Sequence, residues 1–400
     1  MNDQLLKQVA EAFTTFSPGP AHQVRVFFAP GRVNLIGEHL DYNGGYVFPA
    51  ALTQGIWLFI RPRTDRIVRF HSLNFDHEVT AHMEHLQYQE DDRYANYPKG
   101  VLWVMRQAGA TFEGADFLFA SNLPSQAGLS SSAALEVVTA FAVNRLSHCE
   151  MSIKQLVLLA QQAENQFVGV KCGIMDQFAV GFGKAHHALL LQTADLSYEQ
   201  IPFKTDHVQL VIANTNFRRE LSDSKYNERR SQCEEVLVAV HSIYPDVLHL
   251  ANVTESMWEE VASHMKDDTL VKRGRHVVTE SARVIAAANA LRQHDIERFG
   301  TLMNESHQSL RDDYEVTGKY LDALASAANE APGCIGSRMT GAGFGGCTVS
   351  LVQTQELASF ERFVTQVYQR KVGYQPSFYV SDVGDGVHEV TEEVMDRWPF

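Results

Sequence analysis

The chain is 400 residues long, with 45% hydrophobic and 20% charged side chains. That is the usage of a folded globular protein with material for about two domains, which excludes a disordered chain or a single small binding module. The 34 Lys and Arg against 48 Asp and Glu leave a formal charge of −14, a field that repels phosphate backbones and anionic lipid, so nucleic acid and membrane surfaces are excluded as main partners.

Met1 to Phe16 mixes charged and apolar residues without the continuous apolar stretch of a secretory signal, and no apolar run is long enough to span a membrane. The 5 cysteines include no C-x-x-C pair, so they fit neither a disulfide framework nor a zinc site and point to a reducing cytoplasm. Short β-branched or aromatic runs bounded by Pro, Gly, Asn and Asp predict strands at Gln23 to Phe28, Ile56 to Pro62, Ile67 to Ser72 and Asp116 to Ala120.

Between the first two strands, Gly31 to Gly45 reads as a turn-rich loop dense in polar groups. Glu38, His39 and Asp41 there have the donor and acceptor chemistry to bond several vicinal hydroxyls, or they are the incidental charges of a solvated loop. Pro124 to Ala134 is a second glycine and serine loop, opening directly into Ser131 to Leu146, a predicted helix apolar on nearly all sides. Free N–H groups at such a helix start are an anion site suited to phosphate; the plainer reading, one serine as N-cap, leaves the other serines of Ser130-Ser131-Ser132 unexplained.

Ile153 to Phe167 predicts another helix, with Glu164 near its end, and His187 to Gln192 and His207 to Ala213 predict strands. Asp176 lies between them among apolar neighbours. A carboxylate buried there must be paired or neutral, as a structural ion pair or as a catalytic group.

From Tyr226 onward the pattern changes to amphipathic helices at Asn227 to Ile243, Val277 to Arg292, Ile296 to Met303, Tyr320 to Asn329 and Leu357 to Gln369, with strands at Cys347 to Val352 and Ser377 to Val380. Gly341 to Gly346 matches G-x-G-x-x-G, but a strand follows it where a dinucleotide fingerprint opens a helix, so a Rossmann site is disfavoured. A soft boundary near Thr205 divides the chain into residues 1–205 and 206–400, both α+β.

These segments carry a family resemblance. Gly31 to Tyr42 resembles the galactokinase signature, Pro124 to Ala134 the ATP-binding motif of the wider GHMP kinase superfamily, and Gly336 to Gly346 its third motif. The resemblance implies an α+β, two-lobed GHMP kinase fold with its active site in the cleft between lobes. It also implies ATP-dependent phosphorylation of galactose at the C1 hydroxyl, the entry step of galactose catabolism, by a cytoplasmic monomer with Mg²⁺ as cofactor. Carried over by motif, Glu38, His39, Asp41, Gly173 and Tyr226 hold the sugar, and Asp176 is the catalytic aspartate with Arg32 as its charged partner. Gln126, Ala127, Gly128, Leu129, Ser130, Ser131 and Ser132 form the phosphate loop, Ser132 and Glu164 hold the metal, and Ser72 is a nucleotide contact.

Two departures stand out: Gln126 where relatives carry the loop's first glycine, and Leu40 where threonine is frequent, expected to point away from the sugar. The alternatives are a kinase for a related sugar such as N-acetylgalactosamine or arabinose, or a non-catalytic sugar sensor, which the intact Gly128 to Ala134 loop argues against.

Overall fold

The computed structural model describes residues 1–124, 128–203, 207–217 and 222–399, with side chains of the helix that opens at Ser222 described from Lys225 onward. Its strands are β1 (Arg25–Asn34), β2 (Tyr46–Val47), β3 (Pro49–Pro62), β4 (Ile67–Ser72), β5 (Phe75–His82), β6 (Ala115–Ser121), β7 (His187–Gln192), β8 (Tyr198–Pro202), β9 (Val208–Asn214), β10 (Cys334–Thr340), β11 (Cys347–Gln353), β12 (Ser377–Ser381) and β13 (His388–Glu389). They form sheets ordered β13-β1-β3-β6-β4-β5, β10-β11-β9-β12 and β2-β7-β8.

Both faces of the first sheet are covered, which is why its central strands read as almost unbroken apolar runs. On one face, Val26, Phe28, Trp57, Phe59, Leu118 and Ala120 pack against α1 (Asp3–Phe16) through Leu6, Val9 and Phe13. The alternate residues of the same strands, among them Phe27, Leu58 and Phe117, face the main core. There they meet α2 (Asn96–Gln107), α3 (Ser131–Leu146), α4 (Ile153–Ala163) and α5 (Met175–Phe182).

The later part of the chain supplies α6 (Ser222–His241), α7 (Glu255–His264), α8 (Asp268–Arg292), α9 (Ile296–Asp312), α10 (Gly318–Asn329), α11 (Leu357–Val372) and α12 (Thr391–Met395). One apolar core runs through both parts: the Phe299 ring of α9 lies 6.2 Å from Phe48 and 6.2 Å from Phe203. The boundary expected near Thr205 falls within residues 204–206, outside the described residues. Beyond β12 the chain crosses back: Val383 bridges Leu52, β13 pairs with β1, and Arg397 bonds the Met1 carbonyl at 3.1 Å.

Three local differences from the sequence reading place functional groups. β1 runs six residues past Phe28, through a bulge between Pro30 and Arg32, so Arg32 and Asn34 are strand residues. The segment after it is not a solvated loop, because Leu35, Ile36 and Leu40 are buried in the core and Glu38 and His39 are buried with them; Leu40 does point away from the cleft. The helix expected over Ile153 to Phe167 stops at Ala163 and continues as a π-helical turn, Glu164–Val168, closed by Gly169 at φ 88°. Such turns are frequent at functional sites, and Glu164 is the first residue of this one.

Candidate active site

Residues of the first and third motifs line one cleft, and the second motif lies against them. Thr340 of β10 bonds both the amide and the carbonyl of Asn34 at 3.1 Å, tying the third motif to the first. A Cβ on Gly341 would sit 3.6 Å from the Gly128 carbonyl, so the third motif also lies against the phosphate loop. The cleft has a volume of about 690 Å³, and its lining includes Arg32, Glu38, His39, Asp41, Gly173, Asp176, Tyr226, Gly341 and Ala342.

Asp176 sits in the first turn of α5, a helix the sequence reading left as an apolar segment. Arg32 grips it bidentately, Nε to Oδ1 at 2.9 Å and Nη2 to Oδ2 at 2.8 Å, and the Ser130 hydroxyl donates to the same carboxylate. The ion pair and the catalytic candidate are therefore one feature. Arg32 also reaches the phosphate loop, donating from Nη1 to the Gly128 carbonyl at 2.8 Å and from its amide to that of Leu129 at 3.3 Å.

Ser130 stands at the N-cap position of α3 in left-handed backbone, φ 58°, and its hydroxyl serves Asp176 instead of capping the helix. The first ladder bond runs from Ala134 N–H to the Ser130 carbonyl at 3.0 Å. The N–H groups of Ser131, Ser132 and Ala133 thus lie ahead of the helix's own ladder, the arrangement that receives an anion. Gln126 and Ala127 lie outside the described residues.

Glu38 bonds the Asn34 side chain, the Arg338 guanidinium at 3.1 Å and the Gly341 amide. Burial raises its pKa against the lowering effect of Arg338. Asp41 is pushed up to about 7, by burial first and then by Asp176 and Glu38. Gly173 is required beside it, since a Cβ there would come within 1.9 Å of the Asp41 carboxylate. His39 is held neutral, its pKa pushed down to about 3, by burial first and then by the neighbouring His276 and Arg229. The Tyr226 ring packs 5.7 Å from His39 and 5.4 Å from Tyr42.

Glu164 lies beside Ser132, whose hydroxyl lowers its pKa, while burial, the leading effect, raises it. Gln177 Nε2 donates to Glu164 at 2.6 Å and to Glu136 at 3.1 Å, and Glu136 Oε1, fully buried, has no hydrogen-bond partner among the described residues. Paired buried carboxylates and a hydroxyl are the oxygen donor set of a hard divalent cation. Ser72 is elsewhere: it ends β4, its hydroxyl accepts from the Asn74 amide at 3.2 Å, and it does not line the cleft.

Sequence reasoning passed over Arg338, Glu136 and Gln177. Glu136 had left a signal, a lone acid on the otherwise apolar stretch Ser131 to Leu146, and Arg338 lay within the third motif, where the glycines drew the reading.

The fold and these motifs define the GHMP kinase class. The N-terminal and C-terminal domain models of GHMP kinases match residues 96–184 and 287–369, and the galactokinase galactose-binding signature matches residues 11–62. A Methanococcus jannaschii mevalonate kinase shares the fold alone, with TM-score 0.65 and 15% identity over 92% of this chain and 100% of that one.

Within that class the chain belongs to the galactokinase family. It is 49% identical to the galactokinase of Halalkalibacterium halodurans over 97% of each sequence, and 45% identical to that of Bacillus subtilis over 94% of this chain and 97% of the relative. The crystal structure of Lactococcus lactis galactokinase complexed with galactose superposes with TM-score 0.92 at 40% identity, covering 96% of this chain and 99% of that one.

Proposed function

We propose that this protein is a galactokinase, transferring the terminal phosphoryl group of ATP to the C1 hydroxyl of galactose. The observation that carries the mechanism is Asp176, bridged by Arg32 to the phosphate loop within a cleft lined by sugar-binding chemistry.

Phosphoryl transfer spreads charge over oxygens and asks the protein mainly for positioning and electrostatics. Asp176 accepts the hydrogen of the C1 hydroxyl, and the bidentate Arg32 ion pair fixes the direction of its carboxylate, so its work is to position that hydroxyl. The open N–H groups at the start of α3 receive the phosphates, and the Arg32 guanidinium offsets charge on the group in transit. Glu38, His39, Asp41, the backbone at Gly173 and Tyr226 meet the sugar hydroxyls, and because the acids are buried, a sugar that leaves them unmatched is rejected.

Ser132 and Glu164, backed by Glu136, fit a Mg²⁺ ion, which when bound neutralises phosphate charge. No helix among the described residues is long and apolar enough to cross a membrane. No disulfide joins the five cysteines, all of which lie among the described residues, which suits a reducing cytoplasm, and we read the protein as a monomer.

Coupled ADP release with galactose and Mg·ATP tests the reading. Glucose, 2-deoxygalactose, N-acetylgalactosamine and arabinose serve as comparison substrates; equal rates for galactose and glucose would overturn it.

A further inference from the structure

Beyond Asn34, where β1 ends, the first motif runs on as buried irregular backbone. A buried N–H or C=O outside a sheet ladder needs a partner from elsewhere. Two such groups, the Gly37 amide and the Glu38 carbonyl, find theirs on α8: Glu280 Oε1 accepts from Gly37 N–H at 2.9 Å, and His276 Nε2 lies 3.2 Å from the Glu38 carbonyl oxygen. The backbone fixes both directions. An amide only donates and a carbonyl only accepts, so His276 carries a hydrogen on Nε2 whatever the charge of its ring.

We propose that His276 and Glu280 are positioning residues for sugar binding: by holding the Gly37–Glu38 backbone they aim the Glu38 carboxylate and the His39 ring into the cleft. The role in sugar binding rests on the reading above, and the hold on the backbone is independent of it.

The hold comes from one stripe of α8. His276 and Glu280 are fully buried and one helical turn apart, so they face the same way. Val284, a further turn on, packs against the same segment, since a Cβ on Gly37 would come within 2.9 Å of its Cγ2. Gly37 has φ 101°, a backbone conformation open to glycine, and that turn is what lets the segment lie close to α8. Glu280 is itself held, accepting from Ser306 Oγ at 2.6 Å and from Arg283 Nε at 2.8 Å, and His276 Nδ1 lies 2.9 Å from Ser309 Oγ.

The same frame reaches the Glu38 side chain from its other end. The α9 helix, which supplies Ser306 and Ser309, also binds β10: Asn304 Oδ1 accepts from the Ser337 amide at 2.9 Å, and His307 Nδ1 from the Met339 amide at 3.2 Å. Arg338 of β10 and the Gly341 amide just beyond it bond the Glu38 carboxylate. Glu38 is therefore fixed at its carbonyl from α8 and at its carboxylate from β10, and α9 joins the two. The Tyr314 ring, packed between His276 at 4.4 Å and His39 at 4.8 Å, extends the hold to His39. None of His276, Glu280, Ser306 and Ser309 lines the cleft, so their effect on a ligand passes through the first motif.

The test uses the intact protein and two readouts. In hydrogen exchange without ligand, the peptide spanning Leu35 to Tyr42 is expected to exchange about tenfold faster in His276→Leu than in the parent, with β6 unchanged; parental exchange there overturns the hold. In kinetics, His276→Leu is expected to raise the galactose KM about tenfold, with kcat and the ATP KM within about twofold of the parent. His276→Gln, whose amide offers an N–H to the same carbonyl, should recover most of that loss. An unchanged galactose KM beside faster exchange overturns the role in sugar binding, and so does an equal rise in the ATP KM, the mark of a general loosening. If His276→Leu does not fold, Ser306→Ala takes its place, removing one donor to Glu280, with a rise of about threefold expected in the galactose KM alone and the same two results overturning the role. A parent with slow exchange over Leu35 to Tyr42 that does not phosphorylate galactose overturns the galactose reading and leaves the hold on the backbone standing.

Discussion

Asp176 accepts from Arg32 and Ser130, and its carboxylate faces a cleft shared with Asp41 and Tyr226. Asp176→Asn keeps the shape and one acceptor oxygen but loses the charge and the second acceptor, so kcat should fall by roughly 10² to 10⁴ in a variant that still folds; near-parental turnover in a folded variant would remove Asp176 from the chemistry. Asp41 makes a prediction about pH. In the empty pocket its carboxyl is raised to about 7 from an ordinary 3.8. The folded protein thus holds a proton that the unfolded chain has already released, and the stability this gives is lost as pH rises from about 4 to about 7. Asp41→Asn should therefore resist urea better than the parent at pH 8, with the gain vanishing near pH 4. Sugar binding has the opposite slope, because the ionised carboxylate is the form that accepts hydroxyls. The parent's galactose KM should fall between pH 6 and pH 8, and a flat profile would show that Asp41 does not titrate in the free enzyme.

At the scale of elements, what the sequence showed and what it concealed divide along physical lines. The α3 helix, β4 and β7 have the expected residue limits, because α3 is apolar on nearly all sides, β4 is a short β-branched and aromatic run and β7 a short apolar one, each with turn residues at its ends. The strand expected over Gln23 to Phe28 ends before Pro30, since a proline inside a strand argues against continuing it; the bulge that accommodates Pro30 depends on its partner strand, which local sequence does not show. The α5 helix was missed because its eight residues are apolar on most sides and no side chain caps it. The α1 helix carried its signal in full, Leu6, Val9, Ala10, Phe13 and Phe16 at helical spacing, and was weighed only as a possible leader. Of the site, the acids inside glycine motifs were legible through the family pattern, whereas Arg338 and Gln177 acquire meaning only from the carboxylates that distant chain brings to them.

Two element contacts yield predictions. Arg338 on β10 is fully buried against Glu38, so Arg338→Met strands that carboxylate and should cost roughly 3 to 5 kcal/mol in urea unfolding; a cost below about 1 kcal/mol would mean that Asn34 and Gly341 suffice for Glu38. Gly274 of α8 faces Trp258 of α7, where an added Cβ would lie 2.0 Å from the indole. Gly274→Ala should destabilise by about 1 to 3 kcal/mol through overpacking and leave galactose KM unchanged, readable from a denaturation curve beside a kinetic one.

At the scale of the molecule, the charge of −14 sits oddly with a nucleotide triphosphate substrate until the site is counted group by group. The helix start and its backbone N–H groups contribute nothing to a sum over Lys and Arg, whereas Arg32 is counted in it, as are Lys171 and Arg230 of the cleft lining. Net charge screens out extended polyanions; a compact one is received locally. Arg32 reaches three separate pieces of chain: it is a residue of β1, it bonds two carbonyls of the phosphate loop, and it grips the acid of α5. A group shared in this way has no private contribution to the rate. In a double-mutant cycle, Arg32→Lys combined with Asp176→Asn should slow turnover little more than the more damaging single change. Two losses that multiplied instead would mean that the guanidinium and the carboxylate act as independent parts, and one residue's energy could then be quoted without the other's.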